Sequence, residues 1–340
     1  MRIALDVMGG DYAPLEIIKG AQAALESSPD LELILAGDET TIRLHWVNVD
    51  QVSRVRIRHC TQVIGMNEHP AMAFRKKKDS SITVATQLVR EGEAEAVVSA
   101  GSTGAQMVAA LFVLGRIKGV ERPAIGSFLP TLKGPRFMLD VGANTDCTPE
   151  ILRQFAWMGH IYSEKALGQR NPSIYLLSNG TEAEKGDELT QKTHALLLNE
   201  PHMNFCGNVE GRDILKGDAQ VIVCDGFVGN VALKTMEGTA EAMFYLMKDA
   251  FMADGRSKAG AYLLKPAFKR LKNQLNYEEY GGAPLLGVNG ISVVCHGSSK
   301  ARAIECALLK TMEWVGSGYL QDLQAHSFTA VQSVAEVSQS

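Results

Sequence analysis

The chain has 340 residues, of which 46% are hydrophobic and 21% charged, and a formal net charge of −4. That composition fits a globular protein long enough for one large α/β unit or two lobes, and the acidic balance, with a pI near 6.1, argues against a nucleic-acid binder working through overall charge. The cysteines Cys60, Cys147, Cys206, Cys224, Cys295 and Cys306 form no C-x-x-C pair and no metal-ligand spacing, as in a reduced cytosolic protein.

The opening "MRIALDVMGGD" reads as a first strand over 3–8, and Asp6 and Asp11 interrupt it too early for a signal peptide. A helix over 14–25 and strands over 31–36 and 55–59 follow. "RKKK" at 75–78 with Asp79-Ser80-Ser81 is a basic turn and cap, in which Lys78 adds positive field, ahead of a helix over 82–89. A buried strand over 96–100 runs into a helix over 103–114, and strand 137–141 into helix 149–167. Strand 173–177, helix 188–198, strand 219–224 and helix 230–251 come next, then strand 290–295 and helix 300–314. Between them, 255–275 is basic and amphipathic, and Pro266 is expected to divide it into two short helices. Strands alternating with helices predict a three-layer α/β/α fold with a mainly parallel sheet. Residues 1–326 are expected to form a single catalytic unit, and the polar 327–340 a frayed tail. No apolar run approaches the roughly 20 residues of a spanning helix, so a cytoplasmic protein is expected.

In such folds ligands collect beyond the carboxyl ends of strands. Small and polar segments stand at six of those ends: "DVMGGD", "SAGSTGA", "DVGANTD", "SNGTEAEKG", "DGFVGN" and "HGSS". Together they suggest one rim of backbone donors, carboxylates, amides and a lysine. In "SAGSTGA" the turn Gly101-Ser102-Thr103-Gly104 hands a strand to a helix, and unpaired amides at a helix start suit an anion. The chain has no G-x-G-x-x-G, no Gly-Lys dipeptide, no G-x-S-x-G and no H-E-x-x-H, and its eight histidines are scattered. Nucleotide-fuelled, zinc-dependent and serine-hydrolase chemistries are therefore disfavoured.

"ALDVMGGDYAP", "RKKKDSSI", "SAGSTGA", "LDVGAN", "SNGTEAEKG", "DGFVGNVALKTMEG", "YGGAPLLGVNG" and "HGSS" occur in this order over residues 1–320. Together they resemble the phosphate acyltransferases of bacterial phospholipid synthesis, the PlsX family. The resemblance implies transfer of a fatty acyl group from acyl carrier protein to inorganic phosphate. The acyl phosphate formed would feed a membrane acyltransferase that loads glycerol 3-phosphate. It also implies a homodimer and a fold similar to isopropylmalate dehydrogenases and phosphotransacetylases. Ser102, where this family often has asparagine, is a mild departure that removes no group the chemistry needs.

On that reading the anion at Gly101, Ser102, Thr103 and Gly104 is inorganic phosphate, which attacks a thioester itself and needs no protein nucleophile. Positioning and preorganised donors are then what the protein must supply. Lys185 of "EAEKG", matching the family's Lys-Gly, is expected to hold phosphate or the developing oxyanion. Asn230, expected to open helix 230–251 as its N-cap, would aim an amide across the strand ends. Asp6, Asn144, Asp225 and His296 are further rim candidates. His296 either protonates the leaving thiol or is simply held by backbone. Asp140 and Asp225 are expected to brace loops by accepting backbone N–H bonds. No cofactor, metal or nucleic acid is expected, although Asp6, Asp11, Asp140 and Asp225 keep a Mg²⁺ site open. Lys258, Lys265, Lys269 and Arg270, with Leu263 and Leu264, are expected to dock the acidic carrier and graze the membrane. Two other classes stay open: a metal- and NAD-dependent dehydrogenase of the isopropylmalate type, and a non-catalytic scaffold for lipid enzymes.

Overall fold

The computed structural model describes residues 1–275 and 280–328. Its strands are β1 (Arg2–Asp6), β2 (Glu32–Gly37), β3 (Val55–His59), β4 (Ala96–Ser99), β5 (Ala124–Leu129), β6 (Arg136–Leu139), β7 (Ile174–Ser178), β8 (Phe205–Glu210), β9 (Val221–Val223), β10 (Ala283–Leu286) and β11 (Ile291–Val294). The helices are α1 (Leu15–Ser27), α2 (Glu39–His45), α3 (Pro70–Lys76), α4 (Ser81–Arg90), α5 (Thr103–Ala109), α6 (Pro149–Ala166), α7 (Glu188–Leu198), α8 (Gly226–Met252), α9 (Gly255–Leu275), α10 (Ala301–Ser317) and α11 (Tyr319–Ala325).

The strands form one sheet in the order β3-β2-β1-β4-β11-β10-β5-β6-β9-β7-β8. Successive residues of a strand face opposite layers, and the core records it. Ile3, Leu5, Val98, Phe137, Leu139 and Val223 join α1, α6 and α10 on one side. Ala4 and Val97 face α4 on the other side, and Met138 and Ile222 face Ala110 and Leu233 there. The expected α/β/α layering is therefore present.

The sheet reverses between the two groups of strands that carry the expected rim segments. β3, β2, β1, β4 and β11 are mutually parallel. β10 is antiparallel to both β11 and β5, and β5 is antiparallel to β6. The block β6-β9-β7-β8 is again parallel within itself, so it runs opposite to the first block.

Two helices differ from expectation for local reasons. The long helix starts at Gly226 and not at 230, because the Asp225 carboxylate accepts from the amides of Phe227 (2.9 Å) and Val228 (3.0 Å) and caps it. Asn230 is thus one turn inside the helix. Residues 255–275 form one continuous helix with Pro266 inside it, since a proline costs one hydrogen bond and a bend without necessarily ending a helix. Strands β5, β8 and β10 and helices α2, α3 and α11 also appear. They are short, and their pairing or burial comes from distant partners. The Phe328 ring is buried and its carbonyl accepts from Arg153 and Gln154, so the chain is docked through 328. The rest of the expected tail lies outside the described residues.

Candidate active site

At the first block's carboxyl end, the loops after β1 and β4 approach so closely that a Cβ on Gly9 would sit 2.8 Å from the Gly101 amide nitrogen. Asp6, 2% exposed, is held there: its Oδ2 accepts from Ser99 Oγ (2.7 Å), and Ser99 Oγ accepts from the Gly101 amide (3.0 Å). Burial pushes the Asp6 carboxyl upward against those hydrogen bonds. Asp6 therefore supports the Gly101–Gly104 turn from below and does not line the open site. Ser102 caps α5 by accepting from the Ala105 amide (3.4 Å). The amides of Thr103 and Gly104 meet no acceptor among the described residues. Gly104 has no room for a side chain, because Pro70 Cγ of α3 would lie 2.6 Å from its Cβ.

The loop after β11 adds His296. Its Nδ1 accepts from the Ser298 amide (3.2 Å) and lies 2.7 Å from Ser298 Oγ. In the neutral ring the proton is then on Nε2. Backbone thus fixes one of the two ring nitrogens.

In the second block Asp140, fully buried, receives five N–H bonds. They come from the amides of Ile125, Gly142, Ala143 and Asn144 and from Asn144 Nδ2, at 2.7–3.1 Å. Burial raises its pKa while these donors pull the other way. Asp140 and Asp225 brace loops as expected, and Asn144 is part of the Asp140 brace, buried away from the site. Helix α8 is seated on this loop by two glycines. A Cβ on Gly226 would lie 2.7 Å from the Asn144 carbonyl oxygen, and one on Gly229 would lie 1.9 Å from that of Asp140. The seating presents Asn230, whose Nδ2 donates to the Val141 carbonyl (2.9 Å). An amide NH₂ has two hydrogens, so one remains to be offered.

A cavity of about 460 Å³, within the usual size range of ligand sites, joins the two blocks across the antiparallel middle of the sheet. Its polar lining includes Asp11, Thr103, Asn230, Lys234, His296 and Ser299, and its apolar part includes Ile125, Phe128, Val141, Val294 and Tyr280. Of the residues expected at the site, Thr103, Asn230 and His296 meet here. Gly101, Ser102 and Gly104 stand in the turn that carries Thr103. Lys185 does not reach the lining: it is exposed on the loop after β7, its amide donating to the Glu182 carbonyl (3.1 Å). That loop leaves the same end of the second block as Asn230, from the strand next to β9. Lys78 covers the Phe74 ring at 4.0 Å and is also outside the lining.

Lys234 and Glu237 escaped the sequence reading. They follow Asn230 by one and two turns on one helix face, a signal present in "NVALKTME". Lys234 Nζ lies 2.8 Å from Glu237 Oε2, so the cavity contains a cation with a fixed counter-charge. Among the described residues no group of three or more His, Cys, Asp or Glu side chains is placed to hold a metal ion. Nor is any helix long and apolar enough to cross a membrane. On α9, Lys258, Leu263, Leu264, Lys265, Lys269 and Arg270 are all exposed.

Residues 1–321 match a family model described as "Fatty acid synthesis protein". A phosphate acyltransferase of Desulfitobacterium hafniense is 54% identical over 335 residues, 98% of this chain and all of that one. That of Pelotomaculum thermopropionicum is 52% identical over 325 residues, 96% of this chain and 94% of its own. Among solved structures, the EutD phosphotransacetylase of Staphylococcus aureus superposes with a TM-score of 0.59 at 17% identity, over 93% of this chain and 94% of that one. A branched-chain phosphotransacylase of Enterococcus faecalis gives 0.59 at 16%, over 93% and 99%. At that identity the structures speak for the fold alone.

Proposed function

We propose, on the premise that this chain belongs to the fatty acid synthesis protein family together with these phosphate acyltransferases, that it transfers a fatty acyl group from acyl carrier protein to inorganic phosphate in the cavity between the two blocks. Membership makes the protein an enzyme and sets aside the scaffold reading. The observation that supports the site is the meeting of the Thr103 turn, Asn230, Lys234 and His296 in one cavity that also has an apolar part.

In this reading phosphate rests on the amides of Thr103 and Gly104 at the start of α5. One phosphate oxygen attacks the thioester carbonyl carbon, forming a C–O bond and placing charge on the carbonyl oxygen. The second N–H of Asn230 receives that oxyanion, an interaction worth about a hundredfold or more in turnover. The tetrahedral adduct collapses with cleavage of the C–S bond, whose electron pair stays on sulfur. The sulfur accepts a hydrogen bond from His296 and takes up the proton that hydrogen phosphate loses on becoming acyl phosphate, so the products are acyl phosphate and the free carrier thiol. Lys234, and Lys185 if its loop folds inward on substrate, balance the charge of the dianion. The acyl phosphate, a reactive mixed anhydride, then serves glycerol 3-phosphate acylation by a membrane enzyme.

The carrier is acidic, and the exposed basic face of α9 fits it and an anionic lipid surface. Helix α8 exposes Val231, Met243 and Leu246, apolar surface suited to a second copy of the chain. The decisive experiment measures release of free carrier thiol from acyl carrier protein with and without phosphate. Phosphate-dependent release with matching acyl phosphate supports the reading, and release that ignores phosphate refutes it.

A further inference from the structure

We infer that the acyl chain of the substrate leaves the reaction cavity between Phe128 and Tyr280 and lies in a second cavity beneath the sheet, where the preferred chain length is set; this rests on the acyl-transfer reading above. The second cavity, about 320 Å³, is lined by Phe128, Pro135, Ala166, Leu167, Tyr280 and Trp314, with Gln169 and the Lys310–Glu313 ion pair among its polar groups. Phe128 and Tyr280 also line the reaction cavity, so the two spaces share a wall of two aromatic rings.

The strand pairing explains the opening. β5 pairs with β10 only at Ala124 and Ile125, whereas its other edge pairs with β6 as far as Leu129. β10 begins at Ala283, opposite Val294 of β11. Just before it the chain turns away through Gly281 (φ +94°) and Gly282 (φ +85°), a left-handed pair that favours glycine. Beside Ser127 and Phe128 the sheet therefore lacks a neighbouring rung toward β11. The Phe128 ring, beside that gap in the pairing, lies 6.2 Å from Tyr280 and 6.3 Å from Trp314 between ring centroids. Phe128 and Trp314 belong to the core on the α6 and α10 side, while Ile125 and Val141 belong to the core on the other side. A chain passing Phe128 would cross from one layer to the other.

The chemistry of the lining selects an alkyl chain. The walls are aromatic and aliphatic, and the ion pair at Lys310 and Glu313 is half-exposed. A carboxylate, phosphate or sugar would find no buried charged partner along Phe128, Ala166, Leu167 and Trp314. Each methylene moved from water onto such walls raises affinity about fourfold. The reaction cavity has its donors at Thr103, Asn230 and His296, so a thioester carbonyl there would leave its chain to run toward Phe128.

The test uses the full chain with a series of acyl carrier proteins from octanoyl to stearoyl, and reads kcat/KM for acyl phosphate formation. Ala166→Phe fills the distal cavity from the half-buried end of α6. It should lower the palmitoyl value about tenfold or more while leaving the octanoyl value within about twofold. Phe128→Ala, which widens the passage, should shift the preference toward longer chains. Should Phe128→Ala fail to fold, since it packs on Phe137 and Trp314, the Ala166→Phe ratio decides alone. An unchanged palmitoyl-to-octanoyl ratio, or an equal loss at every length, overturns the inference while acyl transfer stands. A wild-type chain that makes no acyl phosphate from any donor overturns the transfer reading instead.

Discussion

Replacing Gly229 by alanine sets two effects of opposite sign against each other. Alanine in a helix interior is favoured over glycine by up to about 1 kcal/mol. At position 229, however, the new Cβ would lie 1.9 Å from the Asp140 carbonyl oxygen and 2.8 Å from Cys224 Sγ. Ordinary contact begins near 3.4 Å, so α8 must retreat by about 1.5 Å from a partner that is backbone and cannot turn aside. Overpacking of this kind costs about 1–3 kcal/mol, which exceeds the propensity gain. Gly229→Ala is expected to lower stability by about 1–2 kcal/mol net. Asn230, the next residue, would lose its 2.9 Å bond to Val141, and a displacement of that size costs about tenfold to a hundredfold in turnover. Gly260 in α9 is the control, because nothing lies within 4 Å of its Cβ position. Gly260→Ala should raise stability by about 0.5–1 kcal/mol. Urea unfolding gives both stabilities, and release of carrier thiol gives turnover. A Gly229→Ala protein as stable and active as the wild type would mean that this close approach neither seats α8 nor positions Asn230.

Other outcomes follow from the same geometry. Asn230→Ala should lower turnover about a hundredfold and Lys185→Ala at least about tenfold with the fold intact by circular dichroism; near-normal turnover in either removes that residue from the chemistry. Glu200 pairs with Arg153 at 2.9 Å and accepts from Trp157 Nε1 at 2.8 Å, both partners of the ion pair being mostly buried. Glu200→Ala, leaving that guanidinium without a counter-charge, should cost about 3–5 kcal/mol in urea unfolding, and a loss below 1 kcal/mol would show water reaching Arg153. Burial lowers the pKa of His160 and His326 from 6.5. The unfolded chain thus binds protons first, and stability should fall as pH drops through 6.5 toward the folded values. His160→Leu should flatten that slope, and an unaltered slope would clear His160 of the effect. Replacing Lys265, Lys269 and Arg270 with Glu should weaken carrier binding most at low salt, whereas polar residues at Leu263 and Leu264 should release the enzyme from anionic liposomes; unchanged values in both leave α9 an ordinary surface helix.

Much of the site could be read along the chain because its signals are local. The turn at 101–104, the loop braces Asp140 and Asp225, and the amide at Asn230 belong to short segments whose conformation follows from their own residues. So do the short apolar runs that mark β1, β4, β9 and β11, each buried on both faces. Lys234 and Glu237 were legible too, at helical spacing from Asn230, although lysine and glutamate at that spacing are just as characteristic of a solvated helix face. Asn230 looked like a cap because helix patterning began there, but the Asp225 carboxylate reaches the first amides and takes that role.

What the chain did not disclose depends on partners far away in sequence. β5 lies beside β10, about 160 residues later, and no periodicity within either segment indicates that the two would pair or that the pairing would be antiparallel. Yet that pairing reverses the second block, gathers most of the expected segments around one cavity across the middle of the sheet, and leaves Lys185 outside it. It also leaves Phe128 without a strand neighbour on the β11 side. Element type is set by side-chain periods that repeat every two to four residues, whereas strand direction and the position of a cavity are set by which distant edges satisfy each other's backbone hydrogen bonds. For this protein the first made the elements recognisable, and the second decided which of the candidate groups meet.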